Sequence, residues 1–495
     1  MPLTPVNFSR RGFIVGGSAV AAGVGAAALW SRPSPGAAAL RRIDGGVETR
    51  LTAGGATIPL RGGDGSRLQV WAFNGQVPGT ELRVRQGDRL RVIVDNALDE
   101  ETTVHWHGVR VPNAMDGVPH LTQVPIPPGE KFTYDFVVPD AGTYWYHPHQ
   151  RSFEQVGRGL YGPLIVEEKQ PIRVDRDLTW VLDDWRIDSS GQISGGFGSP
   201  HDAMMAGRVG NTITINGRLP QPLAVRAGER IRLRLINAAN ARIFGLNFAG
   251  HQPQIIAIDG QPVRPHQPGG PILVGPAMRV DLIIDMTGSP GSRAAISDDF
   301  YSGLEYRLGE LVYSASPLRN ALLSTPIALP PNPLREPDLD GAARHEILFG
   351  GGMMSMMGGG GMMSAGGMMS GGMMGRSGSG TGGMGGMMGW TVNGVSATGH
   401  VHQPMLTVRR GQTAVMNLNN DTAWWHPIHL HGHSFRVISR NGKPTEHKEW
   451  QDTVLMPPRE TAEIAFAADN PGDWMLHCHI LEHQAAGMTA AFRVT

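Results

Sequence analysis

Ten of the chain's 19 histidines fall in four short clusters: HWHG (His105, His107), HPH (His147, His149), HPIHLH (His426, His429, His431) and HCHILEH (His477, His479, His483). The last cluster also holds the only cysteine, Cys478, and Met488 follows it ten residues later. Neutral imidazole is the commonest metal ligand, and so many nitrogens exceed what one ion can use. In a strand, residues i and i+2 share a face and i+1 points to the other. Each His-x-His is therefore a two-pronged clamp, and HCH shows two imidazoles to one side and a sulfur to the other. On the sulfur side, Cys478, His483 and Met488 supply thiolate, imidazole and thioether from one strand and its following turn, and His426 can add a second imidazole. A His2Cys set with a weak axial methionine is the ligand set of a blue-copper electron-transfer site. Zinc would not need the methionine, and a redox disulfide would need a second cysteine. On the other side, the eight remaining histidines of the clusters are a natural seat for three more copper ions.

The elements that must position these groups are written three times. FNGQVPGTELRVRQGDRLRVIVDNAL from Phe73, INGRLPQPLAVRAGERIRLRLINAAN from Ile215 and VNGVSATGHVHQPMLTVRRGQTAVMNLNND from Val392 each read Asn-Gly, spacer, alternating strand, then a second apolar strand ending at Asn. Period-two alternation between turn residues predicts repeated all-β domains. Asn74 to Asn216 is 142 residues and Asn216 to Asn393 is 177, an excess of 35. The 36 residues from Met353 to Met388, with 13 of the 24 methionines, account for it. This tract is an insertion too rich in glycine to form a helix or pack a core. A second repeat joins VPIPPGEKFTYDFVVPDAGTYWYHPH from Val124 to VLMPPRETAEIAFAADNPGDWMLHCH from Val454. The matching middle region, LVGPAMRVDLIIDM, has no His-x-His. The middle domain thus reads as a spacer, and the imidazole cluster is expected where the first and third domains meet. The expected boundaries are 1–39 for an export signal, 45–170, 171–340, and 341–495 including the insert 353–388.

Composition bounds the rest. The 43 basic and 43 acidic side chains balance, so no global field recruits nucleic acid or an anionic membrane. The N-terminus, SRRGFIVGGSAVAAGVGAAALW, places Arg10 and Arg11 before a weakly apolar Gly/Ala run and looks like a twin-arginine export signal cleaved near Ala37-Ala38-Ala39. No other window reaches the roughly 18 apolar residues of a spanning helix. One cysteine excludes an internal disulfide. A monomeric exported protein without stable membrane insertion is expected, in a periplasm or at the exterior of the envelope.

In these motifs the chain resembles a three-domain multicopper oxidase of the bacterial laccase and copper-efflux oxidase type. The resemblance implies cupredoxin-like Greek-key β-sandwiches and four copper ions. His426, Cys478, His483 and Met488 would hold type 1 copper, and His105 and His429 type 2. His107, His147, His149, His431, His477 and His479 would hold the type 3 pair. It also implies that single electrons taken at type 1 pass through Cys478 to reduce O2 to water. Asp116, in HWHGVRVPNAMDG, matches an acid that relays protons near type 2 copper in this family. Gln484 stands where many bacterial relatives have Glu, and since an amide cannot act as an acid, water or Glu482 is left to serve there. The tract resembles the methionine-rich insert of copper-efflux oxidases. Thioethers favour Cu(I), so Met353, Met354, Met356, Met357, Met362, Met363, Met368, Met369, Met373 and Met374 are expected to collect cuprous ions. The expected reductants are Cu(I) and small phenols or amines, with O2 as acceptor. A laccase for organic substrates is the alternative. A non-enzymatic copper protein is disfavoured, since every expected ligand position is filled.

Overall fold

The protein is described here by a computed structural model covering residues 40–60, 67–352, 389–399, 401 and 403–495. The expected signal and the methionine tract lie outside the described residues. The rest is a β protein of three units, each built from two sheets. In the first unit the five-stranded sheet contains Gly46–Pro59 running parallel to Arg89–Ala97. The four-stranded sheet has the order Leu82–Arg85, Gly162–Glu167, Gly142–His147, His105–His107. The same parallel pairing recurs between Arg176–Trp185 and Arg230–Asn237 in the middle unit and between Ala343–Gly350 and Thr413–Asn420 in the third. This is the expected all-β, cupredoxin-like three-domain architecture. One apolar cluster fills the space between the sheets of each unit. Burial of such side chains, worth about 1.5–3 kcal/mol each when complete, is what the alternating strands supply.

The repeated asparagines have a physical reason in each copy. Asn74, Asn216 and Asn393 sit at φ of 55°, 52° and 50°, each followed by a glycine also at positive φ. Asparagine tolerates this left-handed turn, and its side-chain oxygen accepts from the backbone N–H of Thr52, Val181 or Leu348 on the strand before the turn. The asparagine ending the second strand works in the same way three times over. Asn96, Asn237 and Asn420 each donate to two or more carbonyls and accept from the N–H two residues on. In the third unit that residue fixes the loop leading into His426. Among the described residues no helix is long and apolar enough to cross a membrane.

Candidate metal centre

The histidine strands pair within one sheet of each outer domain. His105–His107 is antiparallel to Gly142–His147, with His105 opposite His147. His426–Leu430 is antiparallel to Gly472–Cys478, with His429 opposite His477. Opposite residues on one face have Cβ atoms about 5 Å apart, so register alone gathers imidazoles in pairs. The two domains then bring the pairs together. His107 and His147 meet His479, His149 meets His431 and His477, and His105 and His107 meet His429, with the ligating atoms of each group within 4.8 Å of one another. All eight side chains are buried. The glycine of HWHG is required here: Gly108 has φ of +83°, and a side chain on it would strike Arg279 and Asp452 behind the ligands.

Hydrogen bonding decides which nitrogen of each ring faces inward. The Nδ1–H groups of His105, His147, His429 and His477 donate to the carbonyls of Asp116, Pro148, Asp452 and Cys478 at 2.7, 3.0, 2.8 and 2.9 Å. His431 Nδ1 donates to the Asp116 carboxylate at 3.0 Å. A neutral ring that donates from Nδ1 keeps a bare lone pair on Nε2. Burial, reinforced by neighbouring imidazoles, holds His107, His147, His149, His431, His477 and His479 well below the usual imidazole range, so they are neutral. His105, His149 and His429 accordingly leave Nε2 without a partner, and His107 leaves Nδ1. The bare Nε2 atoms of His431 and His477 lie 3.1 Å apart. Buried acceptors that face one another without a donor cost about 1–3 kcal/mol each. A cation between them removes that cost, and imidazole suits copper.

The opposite face of Gly472–Cys478 carries the second centre. Cys478 is buried in the third domain's apolar core together with Met488. His483 Nε2 donates to the carbonyl of Met205 at 2.7 Å, and His426 Nε2 meets the Thr422 hydroxyl at 2.8 Å. Both rings therefore turn Nδ1 toward the sulfur, at 3.4 Å for His426 and 3.9 Å for His483. Met488 is tied to the other residues through its backbone: its carbonyl accepts from Cys478 N–H and its N–H donates to the His483 carbonyl. Burial pushes the Cys478 thiol up and depresses His483 to about 3. A thiolate here needs a cation beside it, and the two nitrogens and one sulfur with a thioether nearby fit copper.

Comparison with known proteins is decisive. Multicopper oxidase family models match residues 58–171, 176–296 and 381–495. The chain is 33% identical to a multicopper oxidase of Mycobacterium tuberculosis, over 97% of this chain and 96% of that protein. It belongs to the multicopper oxidases. A copper resistance protein A homolog of Pseudomonas syringae pv. tomato is 26% identical over 99% of this chain and 100% of its own length. The crystal structure of a multicopper oxidase from Pseudomonas thermotolerans matches with a TM-score of 0.77 and 34% identity, covering 90% of this chain and 99% of that one. As a member of this family the oxidase works with copper, in an arrangement of four ions.

Around its ligands, the oxidase places acids and amides that differ in how visible they are in the sequence. Asp116 is buried, with its carboxylate 3.0 Å from His431 Nδ1 and 3.3 Å from His105 Nδ1. Gln484 packs its amide 3.4 Å from His149 Nδ1, with Ser152 on its other side. Glu482 does not reach this ring; its oxygens accept from Asn240 and from the N–H of Arg208 in the middle domain. Trp145 belongs to an apolar cluster but also stacks on His147 at 4.2 Å. Three features were not visible in the sequence. Trp390 lies over His483 at 4.2 Å and beside His426 at 5.0 Å. Asp452 contacts both His107 and His429. The middle domain, read as a spacer, supplies the Met205 carbonyl to His483 and Arg279 to Asp452. A lone tryptophan, a lone aspartate and a backbone carbonyl carry no spacing pattern, so only the folded chain reveals them.

Proposed function

We propose that this oxidase is exported by the twin-arginine route and oxidises cuprous ions outside the cytoplasm, with small phenols and amines as secondary reductants. His426, Cys478 and His483, with Met488, would hold type 1 copper, and His105 and His429 type 2. His107, His147 and His479 would hold one ion of the type 3 pair, and His149, His431 and His477 the other. When bound, these ions supply one-electron oxidation at one site and four-electron reduction of O2 to water at the other. The chain's own part is to orient and to connect. Cys478 and the peptides on either side of it are the shortest covalent path between the two sites, and the carbonyls of Pro148, Asp116, Asp452 and Cys478 hold the rings in one tautomer. Asp116 holds the Nδ1 proton of His431 and is the residue placed to pass protons to the cluster.

The choice of Cu(I) rests on where the methionine tract leaves and rejoins the fold. The strands on its two flanks pair antiparallel, Gly350 opposite Thr391. Gly352, the last described residue before the tract, packs on the Trp390 ring, and Trp390 covers the His483 and His426 rings. A segment carrying thirteen soft thioethers thus leaves and rejoins the fold at residues that adjoin the site where the electron is taken. In addition, His483 gives its outer N–H to Met205, so a phenol cannot hydrogen-bond to that ring. Deleting residues 353–388 should lower cuprous oxidation sharply while oxidation of a small phenol holds or rises. Equal retention of both activities would overturn the role of the tract. For export, replacing Arg10 and Arg11 together by lysine should leave the protein in the cytoplasmic fraction.

A further inference from the structure

Behind the imidazole cluster lies a buried ion-pair network that joins all three domains. Arg279 is wholly buried. Its guanidinium grips the Asp452 carboxylate of the third domain with both terminal nitrogens, Nη1 at 2.9 Å to Oδ1 and Nη2 to Oδ2. Its Nε donates to the Thr143 carbonyl of the first domain at 3.2 Å, and Nη1 also reaches the Ala277 carbonyl of the middle domain. Asp259, in the hairpin turn at the end of Gln254–Ile258, accepts from the backbone N–H groups of Arg279, Asp452 and Thr453 at 3.0, 3.2 and 3.0 Å. Gly260 of that turn packs so closely on Gly142 of the first domain that a side chain on Gly142 would strike its backbone.

Asp452 is where this network meets the ligands. Its carbonyl accepts from His429 Nδ1 at 2.8 Å, which leaves His429 Nε2 bare, and its carboxylate meets His107 Nε2 at 3.2 Å, which leaves His107 Nδ1 bare. Asp452, with the Thr453 hydroxyl 3.2 Å from the same two nitrogens, therefore turns two rings, from different domains, to present opposite nitrogens. An aspartate free to rotate would not do this. The bidentate arginine fixes its carboxylate plane, and Asp259 fixes its backbone.

We propose that Arg279 and Asp259 of the middle domain are positioning residues for the copper cluster, setting through Asp452 the ring nitrogens that His429 and His107 offer. The middle domain then holds no copper but decides whether the type 2 site is well formed. Groups that orient metal ligands typically cost about 10- to 100-fold in metal affinity when removed.

The proposal rests on the assignment of His105 and His429 to type 2 copper, and the test separates the two. Copper content, the type 2 electron paramagnetic resonance spectrum and the blue absorption are measured on the copper-loaded full chain. Arg279→Met should lose type 2 copper to a chelator about 10- to 100-fold more readily, with the blue band at full intensity because His426, Cys478 and His483 lie on the far face of the strand. Arg279→Lys keeps the charge without the fork and should recover copper content with a shifted type 2 spectrum. Asp259→Asn, the milder change if Arg279→Met folds poorly, should shift the same spectrum. A native protein with no type 2 signal would refute the ligand assignment. A native signal carried unchanged into Arg279→Lys and Asp259→Asn, or blue and type 2 copper lost in equal proportion, would overturn the positioning role.

Discussion

The first and third domains end their ligand strands with almost the same three residues, His147-Pro148-His149 and His477-Cys478-His479, yet only the third builds a second centre. The backbones agree. In both, the first histidine donates Nδ1 to the carbonyl of the residue between the two, at 3.0 Å to Pro148 and 2.9 Å to Cys478. The difference lies on the reverse face. Three residues before His429 stands His426, whereas three residues before His105 stands Thr102. Thr102 gives its hydroxyl to Gln155 at 2.7 Å, and both are fully buried. The first domain has thus closed its reverse face with a neutral polar pair and a proline, while the third fills it with a thiol, two imidazoles and a thioether. Because side chains alternate across a strand, one face can hold the oxygen-reducing cluster whether or not the other holds anything.

If the faces are separable, each should be removable alone. The largest effect is expected from Cys478→Ser, which should abolish the blue band and oxygen uptake together while the copper held by the histidine face remains. A colourless variant that consumed oxygen at the native rate would show that electrons do not pass through Cys478. Asp116→Asn attacks the other face: the blue band should persist, while steady oxygen uptake falls about 100-fold, the usual scale for loss of a proton-transfer group. Loss of the colour in that variant would mean the two faces are not independent.

Removing the metal should expose what both faces share. In the stripped protein, buried rings such as His483 bind protons far less readily than in the unfolded chain, with a folded value of about 3 for His483 against about 6.5 when free. Between those values the unfolded chain carries more protons. Stability is therefore intact above about pH 6.5 and is lost as the pH falls through that window. Thermal midpoints of the chelator-treated protein should drop by several degrees between about pH 7.5 and pH 5. A midpoint independent of pH would mean that these rings are not buried in the metal-free fold.

The sequence made much of this centre legible, since the ligand-bearing side chains lie at periods that a strand converts directly into faces. That the two imidazoles of each His-x-His share a face follows from alternation, whereas the register that sets His105 opposite His147 and His429 opposite His477 comes from the fold. What the sequence left hidden is of a different physical kind. The tautomer of each ring is set by backbone carbonyls, which every residue has. Arg279 and Asp259 act across domain boundaries, and contacts between distant segments leave no local period. The reading of the middle domain as a spacer was incomplete for that reason: it lacks His-x-His and contributes no residue to the ligand groups, yet it holds Asp452 and His483 from behind.

The smallest expected effect concerns Gln484, the one departure near the ligands. A neutral imidazole that binds copper through Nε2 must carry its proton on Nδ1, so His149 Nδ1 has to donate and the Gln484 amide must turn its oxygen toward it. In that orientation Gln484 fixes the ring and moves no proton. A cleft of about 260 Å³, lined by Val118, Ser152, Gln484 and Thr489, reaches His149 from outside, and water in it can serve as the local donor. Gln484→Glu keeps an oxygen for His149 and adds a group that titrates. The rate of oxygen uptake should then rise by less than about tenfold, with a new dependence on pH that the native protein lacks, while the blue band stays unchanged. An unaltered rate and pH profile would show that proton supply through this cleft does not limit the native enzyme.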